Sequence, residues 1–299
     1  PELAPGRTAD VAGLAALVVS PGVPLTHPAP HPLIEAARAA NVPLTCDVEL
    51  FCDSLGPRPL VAVTGTNGKS TTSALCHHLL VTAGRDAILG GNIGVPVLDL
   101  DPGPLERVVV LEMSSFQLDL CSRLRPRVAC WLNLTPDHLD RHGDLAGYVA
   151  AKRRIFRNQR DGDTAVIGVD DAPSRAVAAD LRGPRVIAVS TTEQLAQGVY
   201  VRDGVLVDAS DTPAREVLDL GALPTLPGRH NQQNAAVAFA ALRALGLPAE
   251  EIVPGLASFP GLPHRLEEVA RGGGVRWIND SKATNPEAAA RALASFRGG

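Results

Sequence analysis

Short apolar runs alternate with helix-period patterns along most of the chain. Leu14–Val19 reads as a strand stopped by Ser20-Pro21-Gly22, Pro32–Ala40 as a helix, and Val42–Cys46 as the next strand. Gly56-Pro57-Arg58-Pro59 then punctuates the chain and marks a domain boundary. Leu60–Thr64 is a strong strand. The helix after it sets Leu75, Cys76, Leu79 and Leu80 on one face and ends at Gly84. Further strands are expected at Arg107–Glu112, Val128–Leu132, Thr164–Gly168 and Arg185–Val189. A long helix includes Tyr148–Arg157, Tyr200–Val207 forms a hairpin around Asp203-Gly204, and Asn231–Leu245 is an Ala-rich helix. Strands alternating with helices predict an α/β fold with a mostly parallel, covered sheet.

The pattern thins at both ends. No α/β unit precedes the first strand. A hairpin (Leu266–Val269, Gly272-Gly273-Gly274, Val275–Ile278) and a helix from Pro286 open a new unit too short for its own core. The expected organisation is an incomplete N-terminal domain (1–56), a central domain (57–261) and the beginning of a third (262–299).

Composition narrows the chemistry. A net charge of −4 argues against a general nucleic-acid binder. No apolar run approaches the ~18 residues of a membrane helix. The first residues lack a basic-then-apolar signal, so a cytoplasmic location is expected. Five cysteines without a C-x-x-C pair read as reduced thiols rather than disulfides or a zinc site. Only three of 28 basic side chains are lysine: Lys69, Lys152 and Lys282. In an arginine-rich chain, a surviving lysine points to a place where arginine cannot serve. Arginine at any of the three is expected to cripple the full-length protein.

Val61–Thr71 joins an apolar strand to a helix through Gly65-Thr66-Asn67-Gly68-Lys69-Ser70. Glycines let backbone N–H groups approach phosphate oxygens, and the helix N-terminus adds its dipole. Lys69 offers an ammonium to the outer phosphates, and the Ser70 hydroxyl can ligate Mg²⁺. The common pattern G-x-x-x-x-G-K-[ST] has Val63 at its first glycine position, which points away from ordinary GTPases and kinases. Glu112 ends an apolar strand, where ligands of open α/β sheets bind, and reads as an Mg²⁺ ligand or a solvated charge. Asp137-His138-Leu139-Asp140-Arg141-His142 follows another strand. His138 is favoured as a ligand, whereas His142 fits a charged, capped loop better. Lys152 is either a solvated helix cation or a buried amine able to lose its proton and take up CO₂ as a carbamate.

Seven segments occur in one order: GTNGKST, GGNIG (90–94), LEMSSFQLD (111–119), NLTPDHLDRHG, GRHNQQNAAVA (228–238), GLPHRLE (261–267) and WINDSKATNP (277–286). Together they resemble the Mur ligases of peptidoglycan synthesis over nearly the whole chain. SSFQL and the early Ser-Pro-Gly-Val-Pro resemble the branch that adds D-glutamate to UDP-N-acetylmuramoyl-L-alanine. The resemblance implies a Rossmann-like N-terminal part for the UDP-sugar, a central P-loop ATPase, and the start of a Rossmann-like amino-acid domain. It implies that Gly65, Thr66, Asn67, Gly68, Lys69, Ser70 and Thr71 hold ATP phosphates. Asn231 and Asn234 would serve the adenine side, and Arg265, Asp280, Lys282 and Thr284 would reach ATP from the third domain. Ser20, Pro21 and Gly22 would lie by the UDP group, and Asn92, Ser114, Gln117 and His138 by the muramoyl-alanine end. Ser70 and Glu112 would hold one Mg²⁺, and His138 with carbamylated Lys152 a second. Lys69, Glu112, His138 and Lys152 are the expected catalytic set. The implied protein is a monomer using small-molecule substrates, with no nucleic acid and no membrane insertion. The family's first α/β unit and most of its third domain have no counterpart here. The chain by itself is therefore expected to bind nucleotide rather than ligate. Two alternatives stay open: a folylpolyglutamate-synthase-like ligase of the same superfamily, and a non-catalytic nucleotide-binding fragment.

Overall fold

A computed structural model describes residues 11–283 and 286–296. Its elements run β1 (Leu17–Val18), α1 (Pro32–Ala39), β2 (Leu44–Thr45), α2 (Asp47–Ser54), β3 (Leu60–Thr64), α3 (Lys69–Thr82), β4 (Ala87–Gly91) and β5 (Val108–Glu112). Then come α4 (Ser115–Leu120), β6 (Val128–Trp131), α5 (Leu139–His142), α6 (Leu145–Arg153), β7 (Thr164–Gly168), α7 (Ala172–Asp180), β8 (Arg185–Ser190) and β9 (Gly198–Arg202). The remainder is β10 (Val205–Ala209), β11 (Arg215–Asp219), α8 (Arg229–Ala244), α9 (Ala249–Ser258), β12 (Glu267–Gly272), β13 (Val275–Asn279) and α10 (Pro286–Ala294).

The principal sheet has strand order β11-β10-β9-β8-β7-β6-β3-β5-β4. Strands from β4 across to β9 are parallel, and β10 and β11 add an antiparallel meander. β1 with β2 and β12 with β13 form separate pairs. The α/β architecture with a mostly parallel sheet is as the sequence pattern predicts.

Strand alternation divides the core. Val61 and Val63 of β3 face one side, where they share a cluster with α3, α8 and α9 side chains such as Leu75, Phe239 and Leu256. Leu60 and Ala62 face the other, with Ile34, Phe51, Leu118, Tyr148 and Val177. The two-stranded N-terminal portion thus shares an apolar cluster with the main sheet. No described helix is long and apolar enough to cross a membrane.

The structure corrects several local expectations. The first strand is only Leu17–Val18, because Leu14, Ala15 and Ala16 are exposed and lack a partner strand to bury them. The helix through Tyr148 ends at Arg153 and tightens into a 3₁₀ turn, Arg154–Phe156, which buries Ile155 and Phe156. Periodicity alone misses α2, α4, α7, α9, β4 and β11. Most are short, and their starts lie in caps: Ser114 and Gln117 form a reciprocal capping box on α4, and Asp171 caps α7 through Ser174 N–H. Thr284 falls outside the described residues.

One buried carboxylate ties α2 to the turn between α4 and β6. Glu49 is 1% exposed and accepts from Ser122 Oγ (2.9 Å), Arg123 N (3.0 Å) and Leu124 N (2.9 Å). Replacing it with alanine removes these three hydrogen bonds and leaves the buried Leu124 N–H without its acceptor. Glu49→Ala should lower the unfolding free energy by roughly 2–4 kcal/mol in urea titration. A loss under about 0.5 kcal/mol would show that this clamp does not hold α2.

Candidate active site

The phosphate loop lies where β3 hands over to α3. Gly68 takes φ +90°, and a Cβ there would sit 2.2 Å from Asn234 Oδ1, so the position requires glycine. The loop is held from the next strand. Asn133 Oδ1 accepts from Asn67 N–H (3.0 Å), its Nδ2 donates to Asn67 O (3.1 Å), and its carbonyl accepts from Thr66 N–H (3.0 Å). Thr66 Oγ1 donates to Thr135 O (3.1 Å) and lies 3.3 Å from Tyr148 OH. The Thr66 hydroxyl therefore shapes the loop.

Two lysines converge on one carbonyl. Lys69 Nζ donates to Gly65 O (3.0 Å) and Thr66 O (2.8 Å). Lys152 Nζ donates to the same Gly65 O (2.8 Å) and more weakly to Thr64 Oγ1 (3.4 Å). Lys152 is 1% exposed and sits 4.8 Å over the Tyr148 ring. It is no solvated helix cation. Burial drives its pKa well below 10.5, and Lys69 adds to the shift, while Asp137 and Glu112 oppose it. Lys69 is also lowered by burial, with Arg265 adding and Glu112 and Asp137 opposing.

Glu112 lies beside the loop because β5 pairs with β3 in the register Val63↔Glu112. Its carboxylate is 2% exposed. Oε1 accepts from Asn92 Nδ2 (2.8 Å), and Asn92 N–H donates to the Glu112 carbonyl (2.9 Å). Gly91 permits this approach, since a Cβ there would meet Glu112 O at 2.3 Å. Oε2 is buried without a hydrogen-bond partner. A buried carboxylate oxygen in that state needs a cation or a donor. With the Ser70 hydroxyl on the adjoining loop, it offers hard oxygen donors suited to Mg²⁺. Arg265 Nη2 donates to Ser70 Oγ (2.9 Å), bringing a cation from the loop before β12 to the same place.

The other expected residues divide. Asn231, Asn234, Arg265 and Asp280 line one cleft with Asn67, Gly68 and Thr71. Within it, Asn234 Nδ2 donates to Asn231 Oδ1 (3.1 Å) and Asn231 Nδ2 to Pro227 O (2.9 Å). Asp280 Oδ1 accepts from Leu266 N–H (3.1 Å), and the Lys282 N–H donates to His264 O (3.2 Å). Both brace the loop that carries Arg265, while the Lys282 side chain is exposed. Ser114 and Gln117 bond one another across the α4 capping box. His138 takes a left-handed backbone (φ 52°), is half exposed, and rests on Phe116 with ring centroids 5.0 Å apart. His138 and Lys152 each meet the Tyr148 ring, with centroids 6.3 Å apart for His138 and Nζ 4.8 Å from the centroid for Lys152. Among the described residues, no group of three or more His, Cys, Asp and Glu is arranged to hold a metal. Ser20, Pro21 and Gly22 form a turn closed by Val23 N–H to Ser20 O (2.9 Å), and Val23 O accepts from Arg141 Nη2 (3.3 Å). The Ser20–Val23 turn is thereby tied to the helix that follows His138. His142 is buried, 3.0 Å from Ser115 Oγ, and burial lowers its pKa. It is a packing residue.

Sequence reasoning assigned no role to Asn133, Asp137 or Tyr148. Tyr148 was detectable, since it precedes Lys152 by four positions and so shares its helix face. Asn133 acts across the sheet edge on Asn67 and carries no local signal.

Residues 63–242 match the family model described as the Mur ligase middle domain. The chain is 50% identical to the UDP-N-acetylmuramoylalanine–D-glutamate ligase of Caulobacter vibrioides, over 97% of this chain and 64% of that protein. It is 51% identical to the protein of the same name from Paramagnetospirillum magneticum, over 99% of this chain and 63% of the relative. It thus spans less than two thirds of the length of these curated relatives. Its fold superposes on a UDP-N-acetylmuramoyl-L-alanyl-D-glutamate–2,6-diaminopimelate ligase with a TM-score of 0.62 at 23% identity, covering 87% of this chain and 63% of that one. A ligase from Acinetobacter baumannii that handles D-alanyl-D-alanine by its name also gives 0.62, at 21% identity, covering 83% of this chain and 56% of that one. The family match takes in more than half of the chain, with the phosphate loop, Glu112 and Lys152 all inside it, and the chain belongs to the Mur ligase family.

Proposed function

We propose that this chain is the nucleotide-binding part of an ATP-dependent ligase that joins D-glutamate to UDP-N-acetylmuramoyl-L-alanine in cytoplasmic peptidoglycan precursor synthesis. The observation that carries this reading is the meeting of Lys69, Lys152 and Arg265 around Gly65–Ser70 beside the unpartnered Glu112 oxygen. The names of the half-identical relatives support the choice of substrates. In this reading 1–56 serves the UDP-sugar, 57–261 the ATP, and 262–299 begins the amino-acid domain.

Amide formation from a carboxylate requires an activated acyl group. The substrate carboxylate attacks the γ-phosphorus of ATP, the bond to the β-phosphate oxygen breaks, and an acyl phosphate forms with ADP. The D-glutamate amine then attacks the acyl carbon, loses a proton, and phosphate leaves. Opposing anions set the barrier, so catalysis is mainly neutralisation and positioning. Lys69 turns from its own loop carbonyls to the outer phosphates, and the loop N–H groups and α3 N-terminus hold the rest. Arg265 moves from Ser70 Oγ to a phosphate oxygen, bringing the third domain with it. Asn231 and Asn234 take the adenine side, with Asp280, Lys282 and Thr284 closing over the nucleotide. Ser20, Pro21 and Gly22 position the UDP group, and Asn92, Ser114, Gln117 and His138 the muramoyl-alanine end. Ser70 and Glu112 would hold one Mg²⁺ and His138 with carbamylated Lys152 another, the ions supplying charge neutralisation at the γ-phosphate and the reacting carboxylate. The lowered pKa of Lys152 supports the carbamate, because only a neutral amine adds CO₂.

Binding tests the reading directly. The chain should bind Mg·ATP in calorimetry, with affinity reduced at least about tenfold in Lys69→Arg and Glu112→Gln. The full-length protein should transfer labelled D-glutamate to UDP-N-acetylmuramoyl-L-alanine and lose that activity in both variants. Transfer to a folate acceptor instead would overturn the substrate assignment.

Lys152 yields a second test with a defined sign. Its folded-state pKa lies well below 10.5, so the unfolded chain holds the extra proton between those values. Its contribution therefore destabilises the fold progressively as pH falls through that window. In CO₂-free buffer, Lys152→Met should be about 1–3 kcal/mol more stable at pH 7, since Lys69 still satisfies Gly65 O. The advantage should shrink as pH rises toward 10.5. Parallel pH profiles for the two proteins would refute the buried neutral amine. With ¹³CO₂, the parent should show a carbamate carbon resonance that Lys152→Met lacks.

A further inference from the structure

We propose that Cys46 and Cys121 form a reversible dithiol–disulfide modification site that pins α2 to the C-terminal end of α4. The two sulfurs lie 4.0 Å apart although the residues are 75 positions apart in sequence. Both are reduced and buried, at 0% and 2% exposure. A disulfide needs a separation of about 2 Å, which rotation about the Cα–Cβ bonds can supply when the backbones are already in register. That register is held independently. Glu49, three residues after Cys46, binds the N–H groups of Arg123 and Leu124, just after Cys121.

The pair is chemically asymmetric. Cys46 is the N-cap of α2, where helix N–H groups stabilise a thiolate. The hydrogen bond from Cys121 lowers its pKa most, the Glu49 and Val48 N–H groups help, and burial opposes them. Cys121, as donor, is pushed upward by the same bond and by burial. Burial raises the other three thiols: Cys52 and Cys76 to about 12, and Cys130 well above its ordinary value. Only one of the five cysteines is therefore poised as a nucleophile, and its partner is already in contact. A cavity of about 360 Å³ reaches the pair's surroundings, since Leu44, Leu120 and Ser122 are in its wall. Neither sulfur lines that cavity, so a small oxidant reaches the pair when the wall between them opens locally.

The oxidant class is a hydroperoxide. The Cys46 thiolate attacks one peroxide oxygen, the O–O bond breaks, and the departing hydroxide takes a proton to leave as water. Cys46 is then a sulfenic acid. The Cys121 sulfur attacks the Cys46 sulfur, the S–O bond breaks, and the Cys121 proton leaves with the hydroxyl as a second water. Two thiols lose two electrons and hydrogen peroxide becomes two waters. A dithiol reductant reverses the step by exchange. The new bond closes a long loop, which stabilises the folded chain.

The test treats the folded chain with hydrogen peroxide, blocks remaining thiols, and maps disulfides by mass spectrometry. The expected result is loss of two of the five titratable thiols. A Cys46–Cys121 linked peptide should appear, dithiothreitol should reverse it, and Tm should rise by a few degrees. Cys52→Ser should behave like the parent, and Cys46→Ser and Cys121→Ser should form no link. Because the parent and Cys52→Ser carry the decision, misfolding of the other variants does not obscure it. Five intact thiols, oxidation confined to Cys52, or a link formed only after unfolding would each overturn the proposal.

Discussion

The carbonyl of Gly65 accepts from two lysine Nζ groups, and the site is organised around that crowding. Lys69 comes from α3, which packs on one face of the sheet, and Lys152 from α6 on the other. The helices of both layers thus meet at the carboxyl edge of β3. Like charges this close in a buried place are costly, and burial already disfavours each of them. The local answer is a lowered proton affinity on Lys152. Arg265, on Ser70 Oγ, adds a third basic side chain to the same edge. Asn133 and Thr66 are the braces that fix the loop in this arrangement.

The same edge concentrates opposite charge where it can be used. Glu112 is fixed through one oxygen by Asn92 and keeps the other unpartnered. Asn92 in turn reaches Glu112 because Gly91, without a Cβ, lets the end of β4 come close to Glu112. Stability and function pull apart here. An apolar core residue at Lys152 would make a more stable fold, and a hydrogen-bonded Glu112 would make a better satisfied one. The strain is tolerated because the two apolar clusters on either face of the sheet are large and continuous.

Away from that edge, α2 supplies the attachment between the N-terminal segment and the sheet. Glu49 is the polar half of the attachment, and the Cys46–Cys121 contact lies beside it. Both act on the turn that ends α4, the helix whose other end carries Ser114 and Gln117. Glu49 and the cysteine contact therefore hold the N-terminal segment to the C-terminal end of α4.

Strong periodic segments were legible from the chain alone. β3, β7, the hairpin of β9 and β10 and α8 lie where the pattern places them, because buried strands and long helices write their burial into local spacing, and the largely exposed hairpin of β12 and β13 was marked by its Gly272-Gly273-Gly274 turn. The phosphate loop was equally plain, since its glycines and its Lys-Ser pair act within one strand–turn–helix unit. Short capped elements such as α4 and α7 were not, because six to nine residues with polar caps carry little periodicity. Lys152 illustrates the division. Sequence composition marked it as an unusual lysine, but a charged helix face and a buried amine have the same local spelling. Only the packing of α6 beneath the sheet, with Tyr148 anchored to Thr66, decided that its Nζ reaches Gly65. The roles of Asn133, Asp137 and the Cys46–Cys121 pair were decided there too. Each depends on residues distant in sequence, and distance in space is set by the sheet order rather than by any local pattern.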